Sequence, residues 1–393
     1  MGFRLNLNEN TIKKISFIIG LIIVLGFSYM VGSSAYHIAL TTSGGGYNNS
    51  YISDEIYYVD SARRILVNVF GYKGQLYPYS GETQSNYYNF EHPPLAKYII
   101  ALSMVILGDK PINWRIPSVI LASLIPLILY LGLSIGNDIK WIFLGVLASL
   151  IASSDKILIV MGSVALLDIY AAFFLTIAIV FAFRKNLLLS AVFVGLASAS
   201  KETGLFGVLA LIILSFFLYG KKFLAIKKIV EIILIVIVVI LIFYIPLFYH
   251  FGVLNIIQQT VGGYKWDLQS RPPGPPTSTP SGWLFNVNPF VLSYSPLLEA
   301  DTTPIIEVPA MVSAISIFIS CILYKRNYCY RAGVVFYISI FLGFWIVYLA
   351  GNYTLYSFYS VILTPAAAIT LVEAIDMIMG GLIGKNENNV SSV

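Results

Sequence analysis

The sequence predicts an all-α polytopic membrane protein with about ten or eleven membrane-crossing helices, and three observations point to it. Of the 393 residues, 58% are hydrophobic and only 11% are charged, and the mean hydropathy is +0.82, outside the balance of a soluble domain. Runs such as Ile15 to Val31, Ile229 to Phe248 and Met311 to Leu323 approach or reach the ~20 apolar residues that cross a bilayer as helix. These runs are continuously apolar rather than alternating, so their backbones are satisfied only as helices, which disfavours a transmembrane barrel.

In order, the candidate spans are 15–35, 115–135, 140–155, 160–183, 187–200, 203–219, 229–249, 305–324, 332–350 and 357–379. The first is longer than a signal-peptide core, and Val31-Gly32-Ser33-Ser34-Ala35 is a weak cleavage match, so it reads as a signal anchor. Basic residues cluster at Arg4, Lys13 and Lys14, at Arg184 and Lys185, at Lys221, Lys222, Lys227 and Lys228, and at Lys325, Arg326 and Arg331. Those segments are expected to face the cytoplasm. The formal charge of +5 sits mainly there, so it sets orientation and does not indicate nucleic-acid binding.

Alternation then places the 35–114 loop, the 250–304 loop and the turn 351–356 outside. Pro94 to Leu107 is too short to cross upright and is expected to lie flat at the outer interface, starting at its prolines. The 250–304 loop holds Arg271-Pro272-Pro273-Gly274-Pro275-Pro276 and then Ser281-Gly282-Trp283. It is expected to be irregular and to cover a site. Residues 1–393 read as one membrane domain. Sequons occur at Asn48-Asn49-Ser50, Asn352-Tyr353-Thr354 and Asn389-Val390-Ser391, the last hinting at an external C-terminus.

Asp54 and Glu55 are adjacent carboxylates just after the first span. Charges next to hydrocarbon need a partner or a wet cavity, so the pair reads as a reaction centre. It also opens an amphipathic stretch, Ile56 to Phe70, where carboxylates could simply cap a helix. Lys97, Arg115 and Lys201 fall on the outer side near span ends, and three cations facing two carboxylates suit a lipid phosphate. Each is equally suited to snorkelling or to pairing with a carboxylate, and Glu202 stands beside Lys201 for that purpose.

His92 precedes a double proline and serves either a structural hydrogen bond or proton chemistry. Asp168 lies within an apolar run and needs a partner, whereas Asp155-Lys156 reads as a solvated turn. The aromatic residues Tyr57, Tyr58, Tyr87, Tyr88 and Phe90 fit a sugar-stacking surface or an interfacial belt. Cys321 and Cys329 show neither a disulfide nor a metal-ligand pattern, and no metal or other cofactor is called for.

Taken in order, Asp54-Glu55, His92-Pro93-Pro94-Leu95-Ala96-Lys97, Trp114-Arg115, Leu167-Asp168, Ala199-Ser200-Lys201 and Ser281-Gly282-Trp283 resemble the protein O-mannosyltransferase family (glycosyltransferase family 39) and its aminoarabinose-transferase relatives. The resemblance covers most of the chain. It implies a GT-C membrane glycosyltransferase that moves a sugar, mannose or another hexose, from a polyprenyl- or dolichyl-phosphate donor. The acceptor would be a hydroxyl of a protein Ser or Thr or of a glycan, on the extracytoplasmic face of the cell membrane and with inversion.

By that resemblance Asp54 is the base and Glu55 its helper, while Lys97, Arg115 and Lys201 hold the phosphate. His92, Asp168 and Trp283 support the site. One departure is that Met161 and Gly162 stand where the family often carries an arginine ahead of its aspartate. The alternatives are a transporter or flippase of lipid-linked sugars and a membrane polymerase of lipid-linked glycans. Paired broken helices in related halves, the mark of many transporters, are not evident.

Overall fold

The computed structural model describes residues 8–43, 51–77, 83–84, 86–220, 222–268, 276–324 and 330–390. Arg4, Lys221, Lys325, Arg326, Cys329, the sequon at Asn48 and Arg271–Pro275 lie outside them.

Helix α1, Glu9–Thr42, starts where the Asn8 side chain accepts the Asn10 N–H at 2.8 Å. Its exposed face carries Ile15, Ile18, Ile22 and Leu25, as suits a lipid-facing edge. After it come α2, Glu55–Asn68, and α3, Leu95–Leu107. Helices α4, Pro111–Ser134, and α5, Ile139–Ser154, pack on α1 and lead into the short α6, Lys156–Gly162.

Helices α7, Asp168–Phe183, and α8, Leu187–Ser200, form the centre. A 3-10 turn, Glu202–Leu205, leads into α9, Phe206–Tyr219. Gly204 permits this fold-back, since a Cβ there would lie 2.4 Å from the Ser198 nitrogen. Then follow α10, Lys222–Phe251; α11, Val253–Asp267; and α12, Pro280–Trp283. An antiparallel hairpin of β1, Phe290–Tyr294, and β2, Leu297–Ala300, comes next. The chain ends in α13, Pro304–Tyr324; α14, Ala332–Leu349; a 3-10 turn, Ser357–Ile362; and α15, Thr364–Val390.

Among the described residues, six helical units are long and apolar enough to cross a membrane, or seven if α5 and α6, bent by 65°, count as one; α3, α7 and α8 are shorter apolar helices. Helix occupies each of the ten expected spans, with one correction. The 160–183 segment is broken at Ser163–Leu167, where the Ala165 N–H donates to the Glu55 carboxylate at 2.7 Å.

Two further expectations are corrected. The 250–304 segment is not irregular throughout, because α11, α12 and the hairpin build most of its described part. Asp155 is not in a solvated turn: it is fully buried and accepts from the Thr364 hydroxyl at 2.6 Å, whereas Lys156 reaches out toward Asp301.

Charge separates along the bundle. Arg184, just after α7, donates to the Gly132 and Ile135 carbonyls at 2.9 and 2.6 Å, at the end of α4. Near the same end Asp376 of α15 joins Lys140, at the start of α5, to Arg331, which precedes α14. The opposite ends of α4, α7 and α8 carry Arg115, Asp168 and Lys201.

Candidate active site

Helix α2 builds one wall. Its buried face, including Val59, Ala62, Ile65 and Leu66, recurs at helical spacing. Ser53, just before it, sits in the left-handed region at φ +52°, a conformation that persists only where its surroundings fix it. Fixing comes from Glu55, which accepts the Ile52 N–H at 2.7 Å. Asp54 occupies the N-cap position, yet its side chain makes no capping bond. Glu55 likewise accepts N–H groups outside the first turn of α2, so neither carboxylate caps the helix.

Glu55 and Arg115 form a closed clamp. Arg115 Nε and Nη2 donate to the two Glu55 oxygens at 2.8 and 2.7 Å, a bidentate fork with both residues 0% exposed. Arg115 also donates to Ala39 O, Thr42 Oγ1 and Ser43 Oγ, at 3.2, 3.1 and 2.9 Å. With Ala165 N–H and Ile52 N–H, the Glu55 carboxylate accepts four donors. Both side chains are thus held by protein groups, Glu55 by the turn before α2, by Arg115 and by the break before α7, and Arg115 by Glu55 and the end of α1. Together they tie α1, α2, α4 and the break before α7.

A second group of charges gathers around Tyr58, one turn after Asp54 and so on the same face of α2. The Tyr58 hydroxyl is held well above its usual range, first by burial and then by the charges of Asp54, Tyr359, Asp168 and Glu202. Its ring meets His92 edge-on at 5.5 Å. His92 Nδ1 lies 2.9 Å from a Glu202 oxygen. Burial lowers the affinity of His92 for its proton, but the Glu202 carboxylate outweighs this and the pKa is raised.

Asp168 and Lys201 pair at 2.7 Å with both fully buried. Lys201 thus pairs across 33 residues, leaving its neighbour Glu202 to His92. Lys201 Nζ also sits 4.1 Å from the centre of the Tyr359 ring, a cation–π contact. Lys97 donates to the Asn89 and His92 carbonyls, the latter at 2.8 Å, and reaches Asn89 Oδ1 at 3.3 Å. It thereby fixes the turn that carries His92. Burial lowers the Lys97 pKa to about 7, opposed by Glu91 and Glu202.

Trp283 reaches this group through other rings. Its Nε1 donates to Ser278 Oγ at 2.8 Å, and its ring meets Phe344 at 4.8 Å. Phe344 in turn stacks on Tyr359 at 6.0 Å.

Asp54, His92, Lys97, Asp168 and Lys201 therefore belong to one electrostatic cluster, with Glu55 and Arg115 in a separate clamp behind Asp54. The sequence names Tyr58 only as one of five aromatic residues fit for a sugar-stacking surface or an interfacial belt, though its four-residue offset from Asp54 was a usable signal for the cluster; for Tyr359 no local signal exists. Farther along α2, Asp60, Arg63 and Asp109 form a buried network, with Arg63 bound to both carboxylates at 2.8 Å. Among the described residues no group of three His, Cys, Asp or Glu side chains is placed to hold a metal ion. Lys201 and His92 act on Asp168 and Glu202, and Lys97 is drawn by Glu91 and Glu202.

Residues 91–250 match a protein-family model described as dolichyl-phosphate-mannose-protein mannosyltransferase. Over 130 residues, 32% of this chain, the sequence is 31% identical to a polyprenol-phosphate-mannose–protein mannosyltransferase of Corynebacterium glutamicum, 23% of whose length is covered. The structure resembles ArnT from Cupriavidus metallidurans bound to undecaprenyl phosphate, with a TM-score of 0.54 and 15% identity over 89% of this chain and 59% of ArnT. ArnT in the apo state gives the same TM-score at 14% identity, over 89% of this chain and 60% of that one. The chain thus spans under a quarter of the curated relative and about three fifths of ArnT. These likenesses establish the fold, that of the GT-C membrane glycosyltransferases.

Proposed function

We propose that this chain, a member of the GT-C O-mannosyltransferase-like family, transfers a hexose from a polyprenyl-phosphate donor to an acceptor hydroxyl. One observation carries the reading: Asp54 shares the surroundings of Tyr58 with the buried Asp168–Lys201 pair and with Glu202, the partner of His92. A base, a buried cation and aromatic rings thus meet where a hydroxyl, a phosphate and a sugar must come together.

In the proposed step Asp54 takes the proton of the acceptor hydroxyl as that oxygen attacks the anomeric carbon. The bond from the anomeric carbon to the phosphate oxygen breaks, and the lipid phosphate leaves as an anion. Lys201 and Lys97, with protonated His92, stabilise the negative charge growing on that oxygen. A single displacement, in which the acceptor oxygen enters opposite the departing phosphate, inverts the anomeric centre.

The extracytoplasmic side is supported by the charge separation along the bundle. The cluster lies at the end of α7 that begins with Asp168, while Arg184 follows its other end, 16 residues on, or ~24 Å at 1.5 Å per residue. The basic segments are the ones expected to stay cytoplasmic. A protein acceptor and a mannosyl donor are the pairing that the family match favours.

The test is donor-dependent product formation in proteoliposomes holding the full chain and polyprenyl-phosphate mannose, offered serine- and threonine-containing peptides. Labelled sugar appearing on the acceptor supports the reading. Labelled lipid moving across the bilayer with no product would replace it with that of a flippase.

A further inference from the structure

Asp168 is 0% exposed and uses only one of its carboxylate oxygens. Oδ1 accepts from Lys201 at 2.7 Å, whereas Oδ2 is buried without a hydrogen-bond partner among the described residues. The contrast is with Glu55, whose two oxygens take four donors. Leaving a charged acceptor buried and unmet is costly, and such an atom calls for an explanation. Desolvation cannot be eased by solvent here, and Lys201, which faces the other oxygen, is itself buried.

The position of this oxygen suggests what meets it. Lys201 is the cation of the proposed phosphate site, so the carboxylate bound to it neighbours whatever that phosphate carries. Asp168 and Asp54 both act electrostatically on the Tyr58 hydroxyl. Asp168 therefore lies beside the lysine of the leaving oxygen and acts on the same hydroxyl as the base, so the anomeric carbon between entering and leaving oxygens brings its ring to Asp168. Of the substrate groups, the acceptor hydroxyl is claimed by Asp54, which leaves the hydroxyls of the donor ring to meet Oδ2.

We infer that Asp168 Oδ2 accepts a hydrogen bond from one ring hydroxyl of the donor hexose, making Asp168 a specificity-determining residue for the transferred sugar. This rests on the glycosyltransferase reading above. A carboxylate in that position rejects a donor lacking the hydroxyl, because the analogue leaves a buried charge unmet. It also couples sugar recognition to the phosphate site, since the same carboxylate orients the Lys201 ammonium.

The experiment measures binding of polyprenyl-phosphate mannose, glucose and galactose to the purified full chain in lipid nanodiscs. The 2-, 3-, 4- and 6-deoxy forms of the tightest follow, with polyprenyl phosphate alone as reference. In the wild type, one deoxy form is expected to bind about 10- to 100-fold more weakly than its parent, as for one hydrogen bond to a charged group. In Asp168→Asn, which keeps an oxygen for Lys201, that form and its parent should bind within about threefold of each other.

An equal penalty in the variant would overturn the inference and leave Asp168 a partner for Lys201 alone. So would a wild type that binds all four deoxy forms alike, and that arm needs no variant to fold. A wild type that binds no polyprenyl-phosphate hexose fails differently, by removing the glycosyltransferase reading itself.

Discussion

Two buried ion pairs sit near each other at the same end of the bundle, and they are built to opposite standards. Glu55 and Arg115 meet as a bidentate fork, and backbone and hydroxyl groups fill the remaining capacity of both. Asp168 and Lys201 meet through a single contact, one carboxylate oxygen has no partner among the described residues, and the ammonium rests on an aromatic face. A saturated pair fixes the backbone and has no capacity for a ligand. An undersaturated one is costly in isolation and is completed by substrate, so unmet hydrogen bonds mark the site better than charge itself does.

The largest effect expected from this contrast is on stability. Arg115→Ala strands Glu55 as a buried charge and should cost about 3–5 kcal/mol, read as a large drop in thermal midpoint in detergent. A midpoint close to wild type would mean that the clamp does not hold α1, α2 and α4 together. Lys201→Met strands Asp168 and so also lowers stability, but it should in addition raise the donor KM by about 10- to 100-fold, the ~1.5–3 kcal/mol of a hydrogen bond to a charged group. The stabilisation by added donor seen with wild type should then be largely lost, and if it persists in full the phosphate lies elsewhere.

The pH dependence sharpens the comparison further. Lys97, lowered to about 7 by burial, carries its charge below that pH and loses it above. For donor capture, kcat/KM should therefore fall as pH rises past about 7, and Lys97→Met should remove that limb from the profile. His92 is raised above its ordinary 6.5, chiefly because Glu202 outweighs burial. The stability from that pair is present at acid pH and is lost as pH rises through the raised value. The smallest effect is expected at Trp283→Phe, which removes the bond to Ser278 at about 1 kcal/mol and should leave donor affinity unchanged.

Fold class was legible because long apolar runs carry it directly, and helix does occupy all ten expected spans. The break at Ser163–Leu167 was not, since Val164-Ala165-Leu166-Leu167 is as apolar as the spans around it; only the distant Glu55 carboxylate reveals why the helix stops there. Helix α11 was hidden by the proline-rich stretch that follows it. Cluster membership of Asp54, His92, Lys97, Asp168 and Lys201 could be read from motifs.

Their pairings could not. Glu55 meets Arg115 across 60 residues and Asp168 meets Lys201 across 33, while the local cue, Lys201 beside Glu202, suggested the wrong partner. Adjacent carboxylates look alike in a sequence and diverge only when helix α2 turns them by about 100° to different faces. Asp54 then acts on Tyr58 within the cluster while Glu55 is held in the clamp.

That divergence is tested most directly by Asp54→Asn, assayed for sugar transfer from polyprenyl-phosphate mannose in proteoliposomes, with donor binding measured on the same preparation. Turnover should fall by about 10²- to 10⁴-fold, the range of a lost general base, while donor affinity stays within about threefold of wild type. Turnover near the wild-type value would contradict the assignment of Asp54 as the base.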